Sequence, residues 1–172
     1  MRHWIYGIAF IALLAPGVAT AQWAPDALPD IPDAQKAPGE RLIGGQPEPH
    51  HLVQASEAGV RHVVNVRDRG EFDDWDVEAL VEELGMTYHR APVGGPADLD
   101  AARVEAFDGA LEEIGQEPAL IYCASGNRVG SLFALRAGWI QGDELEEAVD
   151  HGRSHGLTGL EDSVRDLLEE GS

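Results

Sequence analysis

The chain has a single cysteine, Cys123, among its 172 residues. One cysteine excludes an intramolecular disulfide, so a hydrophobic core must hold the fold together without covalent cross-links. The length and the 44% content of apolar residues predict one globular domain. A cysteine without a partner is also a candidate reactive group.

Basic residues are scarce, with 12 Lys and Arg against 31 Asp and Glu and a formal net charge of -19. A surface this acidic repels the phosphate backbone, so we expect no nucleic-acid partner. It also slows the approach of anionic substrates unless the binding site carries a local positive field. A solubility or salt adaptation is the simpler explanation of the acidity, and the one we favour.

No apolar run is as long as the roughly 20 residues that a membrane-spanning helix needs. The longest, Trp4 to Leu14, follows Arg2 and precedes the small residues Ala19-Thr20-Ala21. This pattern is typical of a secretory signal, here residues 1–21, cleaved after Ala21. We therefore expect a periplasmic or secreted protein with no membrane contact once the signal is removed.

Residues 22–40 contain four prolines and no apolar period, which predicts an extended arm that either packs on the domain or leads into it. Residues 41–172 form the predicted domain, in which short apolar runs alternate with amphipathic segments. The predicted strands are Leu42–Ile43, His62–Val66, Met86–Ala91 and Ala119–Tyr122. The predicted helices cover 52–58, 74–84, 99–114 and about 129–140, 143–151 and 159–169. Such alternation predicts an α/β fold with a mostly parallel sheet flanked by helices.

Cys123 lies where the predicted strand Ala119–Tyr122 gives way to a turn, and Arg128 opens the next helix. The intervening residues, Ala124, Ser125, Gly126 and Asn127, are small enough for successive backbone N–H groups to point inward around an oxyanion. Arg128 would hold two oxygens of a phosphate, and the positive surroundings would favour the Cys123 thiolate. A buried structural cysteine at a strand end is the alternative interpretation.

Four segments together carry a family resemblance: Ile43–Pro47, Gly59–Arg67, Tyr88–Val93 and the loop Cys123–Arg128. Over about residues 42–170, the chain resembles the protein tyrosine phosphatase-like family. It is most similar to the bacterial branch also found beside β-lactamase-like hydrolase domains. The resemblance implies a dual-specificity-phosphatase-like α/β fold, and hydrolysis of phosphomonoesters through a phosphocysteine.

The loop departs from the standard pattern of that family in two ways. It has four residues between cysteine and arginine instead of five, and Val129 stands where a serine or threonine normally follows the arginine. That hydroxyl helps the cysteine to leave in the second step. Ser125 or Ser131 is the candidate substitute.

The resemblance also implies a general acid on the glycine-rich segment that follows the predicted strand ending at Ala91. Asp98 is the first candidate, and Asp100 is the second because it also suits the start of a helix. For either residue, helix capping is the alternative role. His89 is a further conceivable proton donor.

Other charged residues give weaker signals. Arg67 adds positive potential near the site or belongs to a solvated turn, Arg69 fits the solvated turn, and Glu71 either orients a loop arginine or is simply solvated. The histidines occur in pairs, His50 with His51 and His151 with His155, without further ligands in a metal-binding pattern. We expect no metal and no other cofactor.

Two other functions are compatible with this loop. Rhodanese-like sulfurtransferases can also place four residues between a cysteine and a closing arginine, and there the cysteine carries a persulfide. A catalytically weak module that binds phosphate or another oxyanion is the second possibility.

Overall fold

The computed structural model describes residues 30–71 and 75–171 of the chain. The strands are β1 (Gln35–Ala37), β2 (Arg41–Gly44), β3 (His62–Arg67), β4 (Thr87–Val93) and β5 (Ala119–Tyr122). The helices are α1 (Pro49–Glu57), α2 (Val77–Glu83), α3 (Ala101–Ile114), α4 (Asn127–Arg136), α5 (Leu145–Ser154) and α6 (Glu161–Glu170). A 3₁₀ turn (Pro96–Asp98) precedes α3, and a π-helical turn (Ala137–Gln141) continues α4.

The strands form one sheet in the order β1-β2-β5-β3-β4. Neighbouring strands pair in parallel along β2, β5, β3 and β4, and β1 pairs antiparallel with β2 at the edge. The predicted class, α/β with a mostly parallel sheet, is confirmed. Because β5 lies in the middle of the sheet, the residues that follow it stand between the ends of β2 and β3, where α/β sheets bind ligands.

Alternating side chains place one hydrophobic core on each face of the sheet. Ile43, Val64 and Ile121 pack into the core that also contains apolar residues of α3, α4, α5 and α6. Their neighbours Leu42, Val63 and Leu120 pack on the other face, against α1 and α2. Both faces are therefore covered, as continuous apolar strands require.

The segment interpreted as an arm contributes a strand of its own to the sheet. Gln35 pairs with Ile43 and Ala37 with Arg41, although three residues are too few for a periodic signal in the sequence. The predicted strand Ala119–Tyr122 has the bounds of β5. Helix α3 starts at Ala101 rather than at Leu99, because Asp100 is its N-cap.

The predicted signal, residues 1–21, and the first part of the arm lie outside the described residues. Among residues 30–71 and 75–171, no helix has the length and apolar character needed to cross a membrane.

Candidate active site

Cys123 begins the loop between β5 and α4, and it is 1% exposed. Its N–H donates to the carbonyl of Gly44 at 3.3 Å, so the end of β2 holds the start of the loop. The next two residues, Ala124 and Ser125, are exposed. The loop thus has a buried thiol at its base and a solvent-facing rim.

Glycines make this close packing possible. A Cβ on Gly45 would stand 2.8 Å from the carbonyl oxygen of Ala124. Cβ atoms in proteins almost never approach a non-bonded atom this closely. Gly126 has φ +82°, a left-handed conformation that glycine adopts without strain. The chain can therefore turn sharply at Gly126 and start α4 at Asn127.

The start of α4 adds further N–H groups to the loop that is predicted to hold an oxyanion. Its first intrahelical bond runs from Gly130 N–H to the carbonyl of Gly126, so the N–H groups of Asn127, Arg128 and Val129 have no acceptor within the helix. Such groups carry the positive end of the helix dipole and favour anions.

Arg128 is held rigidly beside these N–H groups. Its Nη1 and Nη2 donate to the two carboxylate oxygens of Glu71 at 2.5 and 2.8 Å, and Nη1 also donates to the carbonyl of Val93 at 2.6 Å. The guanidinium is therefore fixed both from the loop after β3 and from the end of β4. The structure agrees with the interpretation in which Glu71 orients a loop arginine.

These bonds engage both hydrogens of Nη1 and one hydrogen of Nη2. The Nε–H and the second hydrogen of Nη2 lie side by side on the remaining edge of the guanidinium, in the geometry that holds two oxygens of a phosphate. A hydrogen bond with Cys123 raises the pKa of Arg128. Arg128 therefore lies next to the thiol that a bound oxyanion would meet.

The Glu71–Arg128 pair shifts the pKa values of both groups in the expected directions. The hydrogen bond from Arg128 lowers the pKa of Glu71 to about 2, against the opposing effect of burial. The same hydrogen bond raises the pKa of Arg128, and the neighbouring Cys123 adds to the effect. The pair is consequently charged throughout the neutral range.

The structure separates the two candidate acids. The Asp100 carboxylate caps α3 by accepting from Arg103 N–H at 2.9 Å, and it also accepts from Arg103 Nη1 at 2.7 Å. Asp98 does not cap that helix; its Oδ2 accepts from the Gly94 N–H at 3.0 Å, and its side chain is 43% exposed. Since Val93, which bonds to Arg128, directly precedes this loop, Asp98 is held near the candidate site.

Other candidates lie further from the cysteine loop or have other partners. His89 stands in the first half of β4, with its Nε2 3.0 Å from Nδ1 of His62, away from the carboxyl ends of the strands. Ser131 is fully buried, and its hydroxyl donates to the carbonyl of Asn127 at 3.0 Å. Arg69 is exposed, whereas Arg67 is buried with its Nε 3.7 Å from Glu71.

The role of the Asn127 side chain had no signal in the sequence. Its Oδ1 accepts from the N–H groups of Thr158 and Leu160 at 2.9 and 3.4 Å. The segment between α5 and α6 is thereby fixed to the residue that precedes Arg128. More than 30 residues separate the partners, so local patterns could not reveal the contact.

Among residues 30–71 and 75–171, no group of three or more His, Cys, Asp and Glu side chains has a geometry suited to a metal ion. The buried His155 and the half-buried His151 instead stack with Phe133, at ring distances of 3.7 Å for His155–Phe133 and 4.7 Å for His151–His155.

Comparison with known proteins identifies the family. Residues 40–139 match the model of the beta-lactamase hydrolase-like protein, phosphatase-like domain. Beta-lactamase hydrolase-like proteins from two strains of Xylella fastidiosa are 32% identical over 126 residues, which is 69% of this chain. The chain spans about 28% of the length of these curated relatives.

Solved structures show the same fold at lower sequence identity. Tk-PTP in its active form has a TM-score of 0.62 and 21% identity, over 81% of this chain and 97% of that one. P. aeruginosa TpbA, in complex with phosphotyrosine, has a TM-score of 0.59 and 15% identity, over 81% of this chain and 90% of that one. With its cysteine loop, its α/β sheet and these matches, the chain belongs to the phosphatase-like domain family of beta-lactamase hydrolase-like proteins and has a cysteine-phosphatase fold.

Proposed function

We propose that this protein hydrolyses phosphomonoesters through a phosphocysteine formed on Cys123. Family membership supports a phosphatase function. The single observation that carries the mechanism is the fixed position of Arg128, which Glu71 and Val93 hold beside the Cys123 thiol. In this proposal its guanidinium binds the phosphoryl oxygens.

In the first step, the Cys123 thiolate attacks phosphorus, and the bond from phosphorus to the leaving oxygen breaks. Asp98 donates its proton to that oxygen, so the leaving group departs as a neutral alcohol or phenol. Arg128 and the N–H groups at the start of α4 stabilise the charge on the equatorial phosphoryl oxygens. The product is the phosphocysteine.

In the second step, water attacks phosphorus and gives a proton to the Asp98 carboxylate. The phosphorus–sulfur bond breaks, inorganic phosphate leaves, and the thiolate is restored. A hydroxyl near the sulfur would help it to leave. Ser125 on the exposed rim suits this role better than Ser131, whose hydroxyl proton already bonds to the Asn127 carbonyl.

The phosphate-binding residues of this proposal are Ala124, Ser125, Gly126, Asn127 and Arg128. The substrate is a phosphorylated compound of a class that can include phosphotyrosine, the ligand seen in TpbA. We also propose that the protein acts outside the cytoplasm, because residues 1–21 have the pattern of a cleaved signal. Mass spectrometry of the protein from a periplasmic extract tests this, since cleavage predicts a chain starting at Gln22.

A paired assay tests the chemistry. We expect the wild-type protein to hydrolyse 4-nitrophenyl phosphate and to show no sulfur transfer from thiosulfate to cyanide. Cys123→Ser should abolish the hydrolysis, and acid quenching during turnover should trap a phosphate on Cys123. Arg128→Lys should lose most of kcat/KM because an ammonium cannot form the two-point contact.

Three results would contradict the proposal. Hydrolysis that survives in Cys123→Ser would exclude the cysteine as nucleophile. Sulfur transfer without hydrolysis would assign the loop to rhodanese-like chemistry. Vanadate or phosphate binding without any turnover would make the protein an oxyanion-binding module.

A further inference from the structure

A cleft of about 430 Å³ lies beside the cysteine loop and is not used by the mechanism above. Ser125 and Gly126 of the loop form one wall, and Gly156 and Thr158 of the segment after α5 form another. The third wall comes from residues 33–35, which precede and begin β1. Ser125 and Gly126 belong to the loop from Cys123 to Arg128 that we propose binds phosphate, so the cleft adjoins the proposed phosphate site.

The third wall is fixed to the loop through backbone contacts. Gly45 N–H donates to the Pro32 carbonyl at 2.7 Å, and Gly45 also forms an isolated bridge with Ser125. A Cβ on Gly45 would be within 3.0 Å of both the Pro32 and the Ala124 carbonyl oxygens. The segment near Asp33 therefore keeps a constant position relative to the loop.

The charge of this cleft is distinctive. Asp33 is its one charged side chain among the described lining residues, which otherwise include Gln35, Ile43, Ser125 and Thr158. Lys36 does not line the cleft, because side chains alternate between the two faces of a strand. Gln35 pairs with Ile43 and shares its face, whereas Lys36 pairs with Leu42 and lies on the opposite face. A ligand in the cleft thus meets a carboxylate and no cation.

Asp33 stands in an exposed turn beside the cleft. Ala34 N–H donates to the Ile31 carbonyl at 3.2 Å, and Asp33 has φ +55°, a left-handed conformation that Asp and Asn tolerate better than most residues. The turn accounts for this backbone conformation. Because the side chain is exposed, a ligand in the cleft can contact the carboxylate.

We infer that this cleft binds the leaving group of the substrate and that Asp33 selects for a neutral or cationic one. The inference rests on the proposed phosphatase function. The substrate class is then a phosphomonoester of an uncharged or amine-bearing alcohol or phenol, and a second phosphate or a carboxylate on the leaving group is disfavoured by repulsion from Asp33.

A second cleft is the alternative position for the leaving group. Its lining includes Arg69 and Arg90, which are exposed, and also the carboxylates of Asp68, Glu71, Asp76 and Glu78. A preference for a cationic leaving group therefore does not by itself distinguish the two clefts. The effect of Asp33→Asn does, because Asp33 lines the first cleft and not the second.

The test uses three phenyl phosphates of similar size, with an aminomethyl, a hydroxymethyl or a carboxylate group opposite the phosphate. We expect wild-type kcat/KM to be highest for the cationic substrate and lowest for the anionic one. Asp33→Asn removes the charge, keeps the shape and tolerates the left-handed backbone. It should reduce the cationic-to-anionic ratio by about three- to tenfold, the effect of one partly solvated charge pair.

Glu57→Gln is the matched control, because it removes one exposed negative charge from the end of α1, outside the cleft. Its ratio should equal that of the wild type, which excludes an effect of net charge alone. Comparing the ratio between variants also cancels the different reactivities of the three phenols.

Each outcome decides between the two proposals. Hydrolysis of the substrates with a ratio unchanged in Asp33→Asn would overturn the role of Asp33 and leave the phosphatase function intact. A wild-type preference for the carboxylate, lost in Arg90→Gln, would place the leaving group in the second cleft. Failure to hydrolyse any of the three would overturn the proposed function and this inference together.

Discussion

Glu71 accepts hydrogen bonds from both Nη atoms of Arg128, although 57 residues separate the two in the sequence. The contact joins the loop after β3 to the start of α4. It sets the plane of the guanidinium and so decides which edge faces a bound phosphate. Glu71 is thus a positioning residue in the proposed mechanism.

Glu71→Gln should lower kcat/KM for 4-nitrophenyl phosphate by about 10- to 150-fold, the equivalent of one hydrogen bond between charged groups. Steady-state kinetics measure this, and circular dichroism should show an unchanged fold. Glu78→Gln is the control: Glu78 is exposed at the start of α2, and its activity should remain that of the wild type. Equal activities in both variants would remove Glu71 from the mechanism.

Asp98 and Asp100 should respond differently to substitution. Asp98→Asn should reduce kcat by about 100- to 10,000-fold for a phenyl phosphate with a poor leaving group. The loss should be much smaller for 4-nitrophenyl phosphate, because 4-nitrophenolate departs without protonation. Asp100→Ala should instead lower the free energy of unfolding by about 1 kcal/mol through loss of the α3 cap, with activity largely kept. The reverse pattern would make Asp100 the acid.

The buried His155 should make stability depend on pH. Burial lowers the pKa of His155 to about 4, and it lies near the charges of His151 and Arg41. Its usual pKa is 6.5, so between pH 6.5 and 4 the unfolded chain binds a proton that the folded protein does not. The contribution of His155 to stability is complete above pH 6.5 and is lost as the pH falls towards 4.

Urea unfolding between pH 7.5 and 4.5 measures this effect. His155→Phe retains an aromatic ring against Phe133. In this variant the slope of the unfolding free energy against pH should decrease, by at most the amount that corresponds to the uptake of one proton on unfolding. His50→Gln, at an exposed position on α1, is the matched control and should keep the wild-type slope. A slope that His155→Phe leaves unchanged would show that His155 titrates normally.

Two helical glycines should respond oppositely to alanine. A Cβ on Gly130 would stand 2.0 Å from the backbone nitrogen of Leu157, whereas one on Gly109 would meet nothing within 4 Å. Gly130→Ala should therefore destabilise the protein by at least about 3 kcal/mol, because backbone cannot move aside easily. Gly109→Ala should stabilise α3 by up to about 1 kcal/mol. Thermal unfolding of both variants checks the prediction.

The sequence predicted the parts of the fold that depend on local patterns. The apolar strands around Val63 and Leu120 and the amphipathic helices gave the α/β class, because periodicity reports which faces are buried. The family resemblance and the loop from Cys123 to Arg128 followed from residues adjacent in the chain. The short strand β1 was missed, since three residues carry no period and pairing with β2 stabilises it.

What the sequence determined by itself is therefore the architecture, the family and the identity of the loop residues, all set by neighbours in the chain. Tertiary structure decided which distant groups meet them: Glu71 on Arg128, the Thr158 N–H on Asn127, and the segment around Asp33 beside Ser125. It also distinguished Asp98 from Asp100, because only the path of the chain shows which carboxylate caps α3. Hydrogen bonds and clefts depend on distances in space, and the packing of the sheet and helices sets those distances.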